Sequence, residues 1–198
     1  KIEEFDVLIT QPKIDPWDSK YGNSKNNLDY FKIFKELTND KLINKKYDFV
    51  ITPETYFSEG YGENIDYFEF SRLHDSLNSY LNQFENTNLI SGIQFYKLYQ
   101  NQYDKPTKSA NLVRDGIWVD YFNSSINISA NTDFEYNHKS KLVVGSEYMP
   151  MKSLLEPIIG TIMIDLGGTI RSLGTQHYSE RKIFNHSIKN LKTAPIVC

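Results

Sequence analysis

The sequence predicts one mixed α/β domain. Three observations carry that reading. Short apolar runs alternate with segments of helical period over the first half of the chain, in the order β-α-β-α-β. Beyond about residue 109 the texture changes to extended runs separated by turn signals. No repeat, low-complexity tract or linker divides the chain, and its 198 residues, 39% of them hydrophobic, suffice for one sizeable core.

Phe5 to Pro12 is an apolar run stopped by proline and reads as a buried strand. A loop with Pro16, Trp17 and Gly22 follows, and Leu28, Phe31, Phe34 and Leu37 then recur at helical spacing, predicting a helix to about residue 44. Tyr47 to Thr52 is a second strand, ended by Pro53. Phe70, Leu73, Leu77, Leu81 and Phe84 mark a second helix, and Leu89 to Tyr96 a third strand with a glycine inside it. This succession predicts parallel strands with helices packed on a face. Ser109–Val113 and Ile117–Phe122 flank Arg114-Asp115-Gly116, a hairpin signal, and Ser125–Ala130 reads as a further strand. Between Leu142 and Ile164 an apolar stretch predicts a helix from near Ser153. Leu166-Gly167-Gly168-Thr169 opens a glycine-rich loop, Ile183-Phe184 resumes extended structure, and Ala194 to Cys198 closes on an apolar strand.

A net charge of −3 gives no electrostatic reason for attachment to nucleic acid or anionic lipid. A single cysteine excludes an internal disulfide and a multi-cysteine zinc site. No run approaches 18 apolar residues, the length a membrane span needs. A chain opening on Lys1 and closing inside an apolar strand is expected to belong to a longer protein.

Four side chains could carry chemistry. Glu54 follows a strand and a proline, and the carboxyl ends of parallel strands are where ligand groups gather. Lys139 and Glu147 bracket a compact stretch, and Cys198 ends the last apolar run. A carboxylate to take a thiol proton, an ammonium to stabilise thiolate and oxyanion, and a thiol would together make an acyl-transfer site. Each also has a plain structural reading. Glu54 suits a solvated loop or a helix start, and Lys139 suits a basic surface loop with His138 and Lys141. Glu147 suits a simple ion pair, and Cys198 a small buried hydrophobe. Spacing alone permits the site without assembling it.

The order of the pieces is more specific. Pro53-Glu54-Thr55 comes after a strand. Lys139-x-x-Leu142-Val143 leads to Glu147-Tyr148-Met149-Pro150, with the glutamate eight positions after the lysine, and Pro195-Ile196-Val197-Cys198 closes the set. This arrangement resembles the nitrilase (carbon-nitrogen hydrolase) superfamily. The middle block is similar to the Tyr-x-Lys-x-x-Leu-Val-Pro-Phe-Gly-Glu pattern of its apolipoprotein N-acyltransferase branch. Leu166-Gly167-Gly168-Thr169, Gly174-Thr175-Gln176 and Glu180-Arg181 look like the same branch. Val144-Gly145-Ser146 departs from the family's Pro-Phe-Gly.

The resemblance implies a nitrilase-like α-β-β-α sandwich with a mixed sheet, residues 1–198 forming part of that catalytic domain and the remainder lying past Cys198. It implies Glu54 as general base, Lys139 as oxyanion-stabilising cation, Cys198 as nucleophile and Glu147 as a supporting acid. The implied reaction moves an acyl chain from a membrane phospholipid, through a Cys198 thioester, to the N-terminal amine of a diacylglyceryl-cysteine apolipoprotein. It needs no metal or organic cofactor. The implied location is the periplasmic face of a bacterial inner membrane, held by spans of the parent chain.

Two other readings stand beside this one. A soluble nitrilase-like amidase would use the same triad with water as acceptor, and a non-catalytic interaction domain would keep only the fold. Met149, Pro150, Met151, Leu154 and Leu155 could form part of an apolar arm facing lipid, although ordinary core packing is the favoured reading of them. His138 reads as a solvated loop histidine beside Lys139. Matches to the N-glycosylation pattern at Asn123, Asn127 and Asn185 carry no weight in a bacterial-type enzyme.

Overall fold

A computed structural model describes residues 4–13, 25–130, 132–141 and 182–195. Its elements in chain order are β1 (Val7–Ile9), α1 (Asn27–Asn44), β2 (Phe49–Ile51), β3 (Glu63–Asn64), a 3-10 turn (Ile65–Phe70), α2 (Arg72–Leu81), β4 (Asn88–Gln100), β5 (Asn111–Arg114), β6 (Ile117–Ile128), β7 (Glu135–His138), β8 (Phe184–Asn185) and β9 (Lys192–Thr193). The expected helix near Ser153, the glycine-rich loop at Leu166–Thr169 and the end of the last strand lie outside the described residues.

β1, β2 and β4 run parallel, as the βαβαβ pattern predicts, and β6 then pairs antiparallel along its whole length with Leu89–Gln100 of β4. The seven-stranded sheet has the order β1-β2-β4-β6-β5, with β3 also beside β4 and β7 also beside β6.

Three expectations need correction. Ile117–Phe122 and Ser125–Ala130 are not separate strands: β6 continues through Asn123-Ser124-Ser125, because the pairing with β4 satisfies its backbone however polar the side chains are. β3 and β7, four residues or fewer each, were not foreseen. The buried stripe of α1 is Tyr30, Phe34, Thr38 and Leu42, whereas Leu37 is exposed. Thr38 lies inside because its hydroxyl bonds the Phe34 carbonyl at 2.8 Å and the Tyr80 hydroxyl at 2.9 Å, tying α1 to α2. An Asn26–Asp29 capping box starts α1.

Strand register sorts the two faces of the sheet. Leu89, Ser91, Ile93 and Phe95 of β4 stand opposite Ile128, Ile126, Ser124 and Phe122 of β6, and most of these join the core formed with Phe34, Leu73, Leu77 and Leu81 of the helices. The other face is polar. Asn88 donates to Asn127 at 2.9 Å. Asn127 in turn donates to Glu135 at 2.7 Å and to the Asn185 carbonyl at 2.9 Å. This amide network docks the β8–β9 hairpin on the side away from the helices, so layers lie on both faces of the sheet.

Asp48 is the second fastener of that hairpin. Its carboxylate accepts the Asp6 N–H at 2.9 Å and pairs with Lys189, while its carbonyl faces His186 Nε2 at 3.1 Å. His186 Nδ1 accepts the N–H groups of Ile188 and Lys189, which leaves Nε2 as the protonated nitrogen that donates to Asp48.

Burial pushes the Asp48 carboxyl upward, but the Lys189 ammonium and the Asp6 N–H outweigh it, and the group titrates below the ordinary aspartate value. A depressed value means that the stabilisation is complete above the unfolded-state value of about 3.9 and is lost as pH falls through the lower folded value. Asp48→Asn is therefore expected to cost about 1.5–3 kcal/mol at pH 7 and to make denaturation midpoints less sensitive to pH between about 5 and 2. Urea titrations across that range check it; an unchanged slope contradicts it.

Candidate active site

β2 ends at Ile51, and Thr52 still donates to the Ile90 carbonyl at 3.0 Å while its hydroxyl meets Ser91 Oγ at 2.6 Å. Pro53 cannot continue the ladder, and the chain turns through Glu54 and Thr55. The turn is fastened to β4 on both sides. Gly92 N–H donates to the Pro53 carbonyl at 3.2 Å, and the Phe57 N–H donates to the Gly92 carbonyl at 3.1 Å. A glycine is required there, because a Cβ at residue 92 would stand 2.2 Å from Thr55 N, 2.6 Å from Pro53 O and 2.7 Å from Glu54 C. Thr55 has φ +52°, an unusual conformation for a β-branched residue that stores about 1–3 kcal/mol of strain directly beside Glu54.

Lys139 arrives from the far side of the sheet. β7 runs antiparallel to β6 and therefore parallel to β2, so the carboxyl ends of β2 and β7 meet over the middle of the β4–β6 hairpin. Lys139 N–H donates to the Asn123 carbonyl at 2.7 Å. Its side chain is 2% exposed and its ammonium reaches Glu54 Oε1 at 3.2 Å; the Glu54 side chain is 37% exposed. Asn123 Nδ2 donates to the same Oε1 at 2.6 Å. A buried lysine facing a carboxylate that is open to solvent on its other side differs from an ordinary surface pair: the cation is held in low dielectric, and the carboxylate can still be reached.

Of the four residues singled out from sequence, the structure brings Glu54 and Lys139 together, while Glu147 and Cys198 lie outside the described residues. Lys139 is buried, so its surface-loop reading does not hold, whereas Glu54 lies in an exposed turn as its loop reading expects, with the Lys139 ammonium and Asn123 amide on its carboxylate. The expectation for His138 is overturned. It is 7% exposed, stacked on Phe122 with ring centroids 4.1 Å apart, and its Nδ1 lies 2.6 Å from Ser124 Oγ. It ends a strand, and its ring turns to the face opposite Lys139.

Two polar residues escaped the sequence reading. Asn123 looked like part of a strand break, and a polar residue at a sheet-facing position is the only signal that marks it. Asp120 is 1% exposed and accepts from Thr107 Oγ1 at 2.8 Å and Tyr99 OH at 3.1 Å, in a cavity on the helix side of the hairpin. Burial, with the Asp120 carboxylate next, pushes the Tyr99 hydroxyl up to about 12. Among the described residues no group of three or more His, Cys, Asp or Glu could hold a metal ion, and no helix is long and apolar enough to cross a membrane.

No family model and no curated protein matches the chain. Solved structures do. A CN-hydrolase superfamily protein from Xanthomonas campestris, solved with an arsenic adduct in its active site, superposes with a TM-score of 0.51 at 15% identity. The match covers 100% of this chain and 54% of that one, so this chain spans about half the length of that neighbour. An N-terminal amidase with a bound Gln-Val peptide is more distant, with TM-score 0.39, 14% identity, and coverage of 70% of this chain and 28% of that one. The first likeness shows the fold: this mixed α/β chain is built like part of a CN-hydrolase superfamily protein.

Proposed function

We propose that the protein to which this chain belongs is an N-acyltransferase in which Glu54, Lys139 and Cys198 form the reacting triad, with Glu147 supporting Lys139. The observation that supports this most is the Glu54–Lys139 pair, a buried ammonium against an accessible carboxylate at the carboxyl ends of two parallel-running strands. The ordered motifs from Lys139 to Cys198, including Glu147-Tyr148-Met149-Pro150, favour the acyltransferase branch.

Glu54 takes the thiol proton of Cys198. The thiolate attacks the sn-1 ester carbonyl of a phospholipid, and the oxyanion forms beside the Lys139 ammonium. Collapse breaks the ester bond. The leaving alkoxide takes the proton back from Glu54 and departs as lysophospholipid, leaving a thioester. The amine of a diacylglyceryl-cysteine apolipoprotein attacks that thioester, Glu54 takes the amine proton, and the amide leaves as the thiol is restored. Both substrates are lipids, so the site belongs at the periplasmic face of the inner membrane, held there by spans elsewhere in the parent chain. No cofactor enters the scheme.

The acceptor decides between this reading and hydrolysis. Full-length protein in detergent is given phospholipid and a synthetic diacylglyceryl-cysteine peptide, and the peptide is weighed by mass spectrometry. The expected result is a peptide heavier by one acyl group, with lysophospholipid in equal amount. Free fatty acid with unmodified peptide would assign water as acceptor, and release of ammonia from small amides would assign an amidase.

A further inference from the structure

We propose that Asn123 is a positioning residue for the reaction: it fixes which oxygen of Glu54 receives the nucleophile's proton and sets Lys139 at a defined height beside it. This role rests on the triad reading above. Two donors converge on one oxygen, Asn123 Nδ2 at 2.6 Å and Lys139 Nζ at 3.2 Å, both on Oε1. A carboxylate carries its lone pairs on two oxygens, so an Oε1 engaged by two donors leaves Oε2 as the proton acceptor. The same residue holds the cation, because its backbone carbonyl accepts the Lys139 N–H at 2.7 Å. Asn123 lies at the middle of β6 opposite Gln94, deep in the longest pairing of the sheet, so the base and the cation share one rigid reference.

The orientation of the amide is settled by chemistry. The reverse orientation would press the amide oxygen against a carboxylate oxygen at 2.6 Å. A purely structural role accounts for less. Asn123 Oδ1 is buried and accepts no hydrogen bond among the described residues. A buried amide oxygen without a donor disfavours the fold, and an apolar side chain would serve it better. Asparagine at this position therefore favours the carboxylate that it touches over local stability.

The test uses full-length protein with Asn123→Asp, which keeps the shape but loses the donor, and Asn123→Leu, which removes the amide. Three readouts are taken: the rate of Cys198 alkylation by iodoacetamide, the rate of Cys198 thioester formation from phospholipid, and the thermal midpoint. Both rates are expected to fall by about tenfold or more in both variants, with KM for phospholipid within about twofold of wild type. The thermal midpoint of Asn123→Leu should hold or rise. Wild-type rates in either variant, or losses that merely track a lower midpoint, would overturn the positioning role while leaving the triad in place. Absence of a thioester in the wild-type protein would overturn the triad reading, and this role with it.

Discussion

Gly92→Ala is expected to lower the thermal midpoint on the order of 10 °C and to remove most of the proposed acyl-transfer activity. The added methyl carbon would stand within 2.7 Å of three atoms, Thr55 N, Pro53 O and Glu54 C. All three are backbone, so no side-chain rotation makes room, and either the turn or β4 must move. Overpacking of this kind costs about 3 kcal/mol, which in a chain of this size corresponds to roughly 6–12 °C. The activity loss follows separately, because the displaced atoms include the backbone of Glu54, and a shift of about 1 Å at a reacting group can cost about a hundredfold. Calorimetry and single-turnover acyl transfer read the two effects. A variant that melts and reacts like wild type would show that the turn does not depend on that close approach.

The second large effect is expected at the ion pair itself. Glu54→Gln keeps the size of the side chain and removes the proton acceptor, so thioester formation should fall by about 10²–10⁴. Lys139→Met keeps the aliphatic stem and removes the charge, and should cost about 10²–10³ through loss of oxyanion stabilisation. The stability changes should be unequal in kind. Glu54 is 37% exposed, so water can take over part of the role of its lost partner in Lys139→Met. Lys139 is 2% exposed, and Glu54→Gln takes the carboxylate charge away from a buried ammonium. Urea unfolding should thus show Glu54→Gln as the less stable of the two. Equal and near-wild-type rates in both variants would make the pair a structural one.

Much of this arrangement is legible in the residues because it is local. The βαβαβ half follows from alternating periods, and Glu54 stands out because a proline and a carboxylate directly follow an apolar strand. What escapes is whatever register decides. Asn123 lies in β6 and Lys139 directly follows β7, and only the pairing of β6 with β7 brings the backbone of one to the other. The α1 stripe was misplaced because Tyr30 and Thr38 are amphipathic. Thr38 goes inside because the Tyr80 hydroxyl bonds it, and Tyr30 because its ring packs edge-on against Tyr56. His138 looked solvated because its sequence neighbours are charged, but alternation along a strand sends adjacent side chains to opposite faces. The polar docking of the β8–β9 hairpin was equally hidden, since Asn88, Asn127 and Glu135 become one network only when three strands align.

The central claim is that Glu54 and Lys139 serve a thiol. Incubating the full-length protein with a phospholipid of known acyl composition and mapping the adduct by mass spectrometry tests it most directly. The account predicts one acyl group in thioester linkage on Cys198, matched by one lysophospholipid and absent from Cys198→Ala. An acyl group that persists in Cys198→Ala, or a wild-type protein that gains none while releasing lysophospholipid, would contradict it.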